Sequence, residues 1–156
     1  MTELAIHAAD RDIADELSEQ VRSAYHDRTP LRIVGGNTRA FYGRPVEGTR
    51  LNVAAHSGIV SYDPVELVVT VRAGTRLNAL NAALAEQNQM LPFEPPIFGD
   101  ASTIGGAVAT GMSGPRRPWA GAARDFVLGT RVITQEGKLL RFGGEVMKNV
   151  AGYDLS

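Results

Sequence analysis

Two glycine-bearing stretches hold the residue types best suited to chemistry in this chain: Ile33-Val34-Gly35-Gly36-Asn37-Thr38 and Thr103-Ile104-Gly105-Gly106. Glycine takes up positive φ at no steric cost, so successive backbone N–H groups can turn inward around an anion. Asn37 tolerates the left-handed conformation, and Thr38 adds a hydroxyl donor. In the second stretch Ser102 and Thr103 are cap-type residues, and a helix starting there would aim free amides and a positive dipole end at an anion. Each loop has a plainer reading by itself: a strand-ending turn for the first, glycine used for tight helix packing for the second. Together they suit one ligand that spans both and carries a diphosphate. Neither is the Gly-x-Gly-x-x-Gly of a Rossmann unit nor the Gly-x-x-x-x-Gly-Lys-Ser/Thr of a P-loop, so nicotinamide dinucleotides and nucleotide hydrolysis lose support.

The other chemistry-capable residues are scattered. His7, His26 and His56 have no partner at ligand spacing, so solvated or locally bonded histidine is the default and no metal site is assigned. Arg124-Asp125 suits a ligand contact and equally an ion pair fixing the start of the next strand. Arg116-Arg117-Pro118-Trp119 holds two permanent charges and an aromatic in a rigid frame, suiting a carboxylate, a phosphate or a partner surface, with a solvated loop as the simpler reading. No residue presents itself as a general base, and the catalytic residue stays unassigned.

The bulk properties narrow the field. A chain of 156 residues has the length of one domain, and 44% hydrophobic with 21% charged residues is an ordinary globular composition. A formal charge of −1 gives no bulk reason to bind nucleic acid. The absence of cysteine excludes disulfides, a thiolate zinc site, an iron–sulfur cluster in this chain and a cysteinyl cofactor link. The N-terminus lacks a basic and an apolar signal region, and no window reaches about 18 continuous apolar residues. An intracellular protein is the expectation.

The elements that must position the loops follow from periodicity. Ile13, Leu17, Val21 and Ala24 recur at helical spacing over 10–26, with Asp10 as the expected N-cap. Residues 31–34 form an apolar strand leading into Gly35-Gly36, and 51–53 and 59–62 read as short strands about a turn at 56–58. Residues 66–72 are a β-branched strand, after which Thr75 is expected to cap a helix carrying Leu77, Leu80 and Leu84. The prolines in Leu91-Pro92-Phe93-Glu94-Pro95-Pro96 force an extended loop. Small residues over 102–111 point to a short helix that something approaches closely. Residues 126–134 alternate as a strand, and Gln135-Glu136-Gly137-Lys138 turns it back into 139–142. The tail from 143 has no apolar period, so the chain reads as one that stops short of a final core element. With no internal repeat, the class expected is α+β, and a continuous parallel sheet is disfavoured.

Longer stretches carry a resemblance. Ser113-Gly114-Pro115-Arg116-Arg117-Pro118-Trp119-Ala120-Gly121, Arg124-Asp125-Phe126-Val127-Leu128-Gly129 and Met147-Lys148-Asn149-Val150-Ala151-Gly152-Tyr153-Asp154, with Tyr62-Asp63-Pro64 and the helix at 75–89, resemble FAD-linked oxidases of the vanillyl-alcohol oxidase and p-cresol methylhydroxylase type. More narrowly they are similar to the GlcE-type FAD subunits of bacterial glycolate oxidases. The resemblance covers the chain from Pro30 onward. It implies a PCMH-type FAD-binding domain over 1–156, lacking its C-terminal adenine-side segment and the separate substrate or cap domain.

The resemblance transfers the FAD diphosphate to Gly35, Gly36, Asn37, Thr38, Thr103, Gly105 and Gly106, and Ser102 and Ile104 of the same segment are expected to be cofactor-binding with them. It runs Thr110, Gly111, Ser113 and Gly114 beside the ribityl chain or ring and sets 148–154 near the cofactor; Asp125, from the residues themselves, is the remaining cofactor-binding candidate. Some relatives attach flavin through a histidine in the first loop; Asn37 stands there, so binding is expected to be non-covalent. The function implied is holding FAD for hydride and electron transfer from a small 2-hydroxy acid, with a second flavin subunit and an iron–sulfur subunit as partners, in the cytoplasm or at the inner face of the membrane. A fragment of this kind would be inactive alone. Two rivals stand beside it: another FAD-linked oxidoreductase subunit of the same fold, disfavoured by the 113–121 and 147–154 stretches, and a truncated flavin fold kept as a non-catalytic interaction module.

Overall fold

The computed structural model describes residues 10–144, and the 147–154 stretch and His7 lie outside them. The class is α+β, as expected from the sequence. The described strands form three two-stranded sheets rather than one continuous sheet. Strands β1 (Leu31–Val34) and β2 (Thr49–Asn52) pair in parallel, Ile33 opposite Leu51. Strands β3 (Ile59–Asp63) and β4 (Val68–Val71) pair antiparallel with an irregularity between Ile59 and Ser61. Strands β5 (Gly129–Ile133) and β6 (Leu139–Gly143) form the hairpin expected around Gly137.

Helix α1 (Ala14–His26) lays Leu17 and Ala24 inward, and Ile13, Leu17 and Leu51 form a small core with Val21, Leu31, Val53 and Ile133 beside it. Its start differs from the expectation. Ile13 occupies the cap position, the amide of Ala14 is held by Asp12 Oδ1 at 3.0 Å, and Asp10 pairs with Arg72 instead. A cap is a local device, but an arginine 62 residues away offered Asp10 a full counter-charge.

Helix α2 (Leu77–Ala85) buries Leu77, Leu80 and Leu84, the three positions expected to face inward. These join Phe93, Ile104, Ala107 and Ala123 in the main core. Thr75 does not cap α2. It is buried, and its Oγ1 accepts from the amide of Gly58 at 3.0 Å and lies 2.7 Å from the carbonyl of Arg72, closing the β4 end onto the turn before β3. Tyr62 Oη donates to Gln89 Oε1 at 2.8 Å, and Gln89 Nε2 donates to the Pro64 carbonyl at 2.8 Å, so the Tyr62-Asp63-Pro64 motif ties the β3–β4 hairpin to the end of α2.

Helix α3 (Ile104–Thr110) follows the proline loop, and α4 (Arg117–Ala120) makes a short helix where a loop was the simpler reading. Phe126 is no strand residue. It follows a 3-10 turn at Ala123–Asp125 and stacks on Phe93 with ring centroids 6.1 Å apart, so core packing outweighs the local alternation.

Candidate functional site

The sheet β1–β2 and helix α3 bring the two glycine stretches together as one seam. Strand β1 ends in Val34, which is buried, and the chain then leaves the sheet through Gly35 and Gly36. Gly36 lies against Ala101 so tightly that a β-carbon would stand 1.6 Å from the Ala101 carbonyl oxygen. A β-carbon on Gly35 would stand 2.9 Å from Thr103 Oγ1. Glycine is required at 36 by backbone contact between the loops and at 35 by the Thr103 side chain. Asn37 follows at φ 56°, the left-handed conformation its side chain tolerates.

Across the seam, Thr38 Oγ1 and Ser102 Oγ are 3.1 Å apart, and Ser102 Oγ accepts from the amide of Phe98 at 3.1 Å. The Thr38 hydroxyl therefore joins the two loops, where the sequence reading had it as a free donor. Thr103 is the α3 cap, its Oγ1 accepting from the Gly106 amide at 3.2 Å.

The two stretches differ in where their amides go. The Ile104 amide donates to the Thr75 carbonyl at 2.9 Å, Gly105 to Ala73 at 2.9 Å and Ala107 to Thr103 at 3.1 Å. The start of α3 is thus bonded within the protein, contrary to the free helix amides expected. Gly105 is glycine because a β-carbon would meet the Ala73 carbonyl at 2.7 Å. By contrast, the amides of Gly36, Asn37, Thr38 and Arg39 donate to no backbone carbonyl among the described residues. The open donors are on the first loop, and the second stretch is the wall it docks against.

The remaining predicted site residues follow α3. Thr110 Oγ1 donates to the Gly106 carbonyl at 2.9 Å, and Gly111 closes the helix at φ 60°. Gly114 donates its amide to the Phe93 carbonyl at 2.8 Å, and Ser113 Oγ accepts from the Ala123 amide at 3.0 Å. Asp125 Oδ2 accepts from the Ala122 amide at 2.7 Å and Oδ1 lies 3.8 Å from Arg124 Nε, so this pair fixes its own turn. Ser113, Gly114 and Asp125 share the Phe93–Ala123 neighbourhood rather than the Gly35–Gly36 loop.

One residue of the seam escaped the sequence reading. Arg39 is only 9% exposed; its Nη2 donates to the Pro96 carbonyl at 2.7 Å and its guanidinium lies 5.5 Å from the Phe98 ring centre. Its Nε is buried with no hydrogen-bond partner, and no carboxylate pairs with it among the described residues. Burial holds its pKa below the usual arginine range. Nothing local signals this, since a lone arginine after a glycine loop ordinarily lies in solvent. Beside it, Phe98 and Phe41 meet edge to face at 5.0 Å, both well exposed.

Two surface clefts, one lined by Asn81, Gln89, Met90 and Glu94 and the other by Gln20, Asp27, Thr49 and Arg50, include no residue of the seam. His56 is part-buried; its Nδ1 accepts from the Ile13 amide at 3.3 Å and lies 3.5 Å from Asp12 Oδ1. No His, Asp and Glu group suited to a metal ion occurs among the described residues.

A family model described as an FAD binding domain matches residues 12–143. The chain is similar to the glycolate oxidase subunit GlcE of Escherichia coli K12, 62% identical over 93% of this chain and 41% of the relative. It is 31% identical to the glycolate oxidase subunit GlcD of Bacillus subtilis over 91% of this chain and 30% of that protein. The mitochondrial D-2-hydroxyglutarate dehydrogenase of Rattus norvegicus is 30% identical over 91% of this chain and 27% of its own length. The chain thus spans well under half of these relatives.

Proposed function

The chain belongs to the FAD binding domain family, and from that premise we propose that it is the FAD-holding part of a flavin-dependent oxidoreductase for small 2-hydroxy acids, of the glycolate oxidase type. The observation that carries the reading is the loop at 35–39, whose open amides and left-handed Asn37 meet a wall built around Ala101 and Thr103. A diphosphate needs several unengaged N–H donors, and the amides of residues 36–39, which donate to no backbone carbonyl among the described residues, are of that kind, so the residues present fit the cofactor. When bound, FAD supplies the acceptor for a hydride from substrate.

In this reading Gly35, Gly36, Asn37 and Thr38 bind the diphosphate. Ser102, Thr103, Ile104, Gly105 and Gly106 hold that loop at the right distance, and Thr110, Gly111, Ser113, Gly114 and Asp125 shape the path toward the flavin ring. FAD is held non-covalently, because the first loop carries the carboxamide of Asn37 and the chain has no cysteine to alkylate. The names of the GlcE and GlcD relatives, each a subunit of a glycolate oxidase, support assembly with other subunits; a second flavin subunit, an iron–sulfur subunit and a cytoplasmic place belong to the proposal itself. Among the described residues no helix is long and apolar enough to cross a membrane.

The test is to load the purified chain with FAD, desalt it and record the visible spectrum, then precipitate it with acid. Flavin should stay with the folded chain and leave entirely with the acid supernatant. No retention and no fluorescence quenching at high micromolar FAD overturns the reading and favours a non-catalytic interaction module.

A further inference from the structure

We propose that Arg39 is a binding residue for the cofactor diphosphate, its guanidinium stored inside the seam with no protein counter-charge among the described residues. This inference rests on the flavin reading of the same seam. A buried guanidinium is costly unless it is paired and hydrogen-bonded, and buried charges in folded chains nearly always have such partners. Arg39 has one carbonyl, that of Pro96, and the face of Phe98. Its Nε has no partner, and the ion pairs of the described residues leave it out.

The placement explains the deficit. Arg39 is the residue that follows Gly36, Asn37 and Thr38, whose amides donate to no backbone carbonyl among the described residues. Its Nη1 also reaches the far wall, 3.4 Å from where a β-carbon of Gly106 would stand. A guanidinium joining both sides of the seam offers a planar, permanently charged fork, the geometry that phosphate oxygens accept in pairs. The same side chain stacked on Phe98 is held in one orientation before ligand arrives, which reduces the ordering cost of binding.

FAD titrations by flavin fluorescence on the chain, Arg39→Met and Arg39→Lys, each with a melting temperature taken without ligand, test this. Arg39→Met should melt no lower than the unsubstituted chain, because an unpaired buried charge has been removed. Its FAD dissociation constant should nonetheless rise about tenfold or more, with Arg39→Lys falling between. Arg39→Met binding FAD as tightly as the unsubstituted chain overturns the inference. So does loss of FAD by both variants in step with a lowered melting temperature, which marks a structural role only. If the unsubstituted chain binds no FAD, the flavin reading itself fails and the inference falls with it.

Discussion

Gly36 and Ala101 meet backbone to backbone, leaving no room for even a methyl group between the first loop and the wall before α3. Gly36→Ala must therefore part the loops or move the 99–103 turn. Overpacking of this kind costs about 1–3 kcal/mol, and thermal unfolding should register a drop of that order. The open amides would also lose their register with the wall, so FAD affinity should fall further than the stability loss alone explains.

Thr38 and Ser102 carry the polar half of the same contact. Ser102 is 1% exposed, and its Oγ serves both Thr38 and the Phe98 amide. Ser102→Ala takes the acceptor from the part-buried Phe98 amide and should cost about 0.5–1.5 kcal/mol. Thr38→Val should cost less, since one partner of the pair survives with another bond. Denaturant unfolding of the two single variants and the double variant should be non-additive by more than about 0.5 kcal/mol; strict additivity would mean that the 3.1 Å contact carries no energy.

Much of this framework is legible in the sequence, and the failures share a cause. Leu77, Leu80 and Leu84 declare α2, and Gly137 declares the last hairpin, because the information lies within one turn of chain. Asp10 and Thr75 look like helix caps in a local window, but their partners, Arg72 and Gly58, are distant or lie on another element. The same blindness affects the site. The sequence reads Gly35 and Gly36 as positive-φ residues of an anion nest, whereas neither takes positive φ and both are glycine for close approach to Thr103 and Ala101; it also cannot say that the Ile104 and Gly105 amides are consumed by Thr75 and Ala73. Nor can it say that Arg39 is buried, since its contacts, the Pro96 carbonyl and the Phe98 ring, lie far along the chain.

His56 gives the fold a pH dependence. Burial holds its pKa below 6.5, and Arg72 and Arg131 push the same way against the opposing pull of Asp12. Its Nδ1 accepts the Ile13 amide, so the folded state favours the neutral ring. With the folded pKa depressed, the unfolded chain takes up the proton first. The contribution is complete above about pH 6.5 and is lost as pH falls below that value toward the folded one. Melting curves should show a greater loss from pH 7.5 to 5.5 for the unsubstituted chain than for His56→Gln. An equal loss in both would remove His56 as the source.

In the proposed binding of FAD the first loop, and not the start of α3, supplies the open donors. Amide hydrogen exchange with and without FAD measures this directly. The amides of residues 36–39 should exchange readily in the free chain and become protected on binding, while those of Ile104, Gly105 and Ala107, already bonded within the protein, should change little. Bound FAD that leaves 36–39 unprotected would contradict the account.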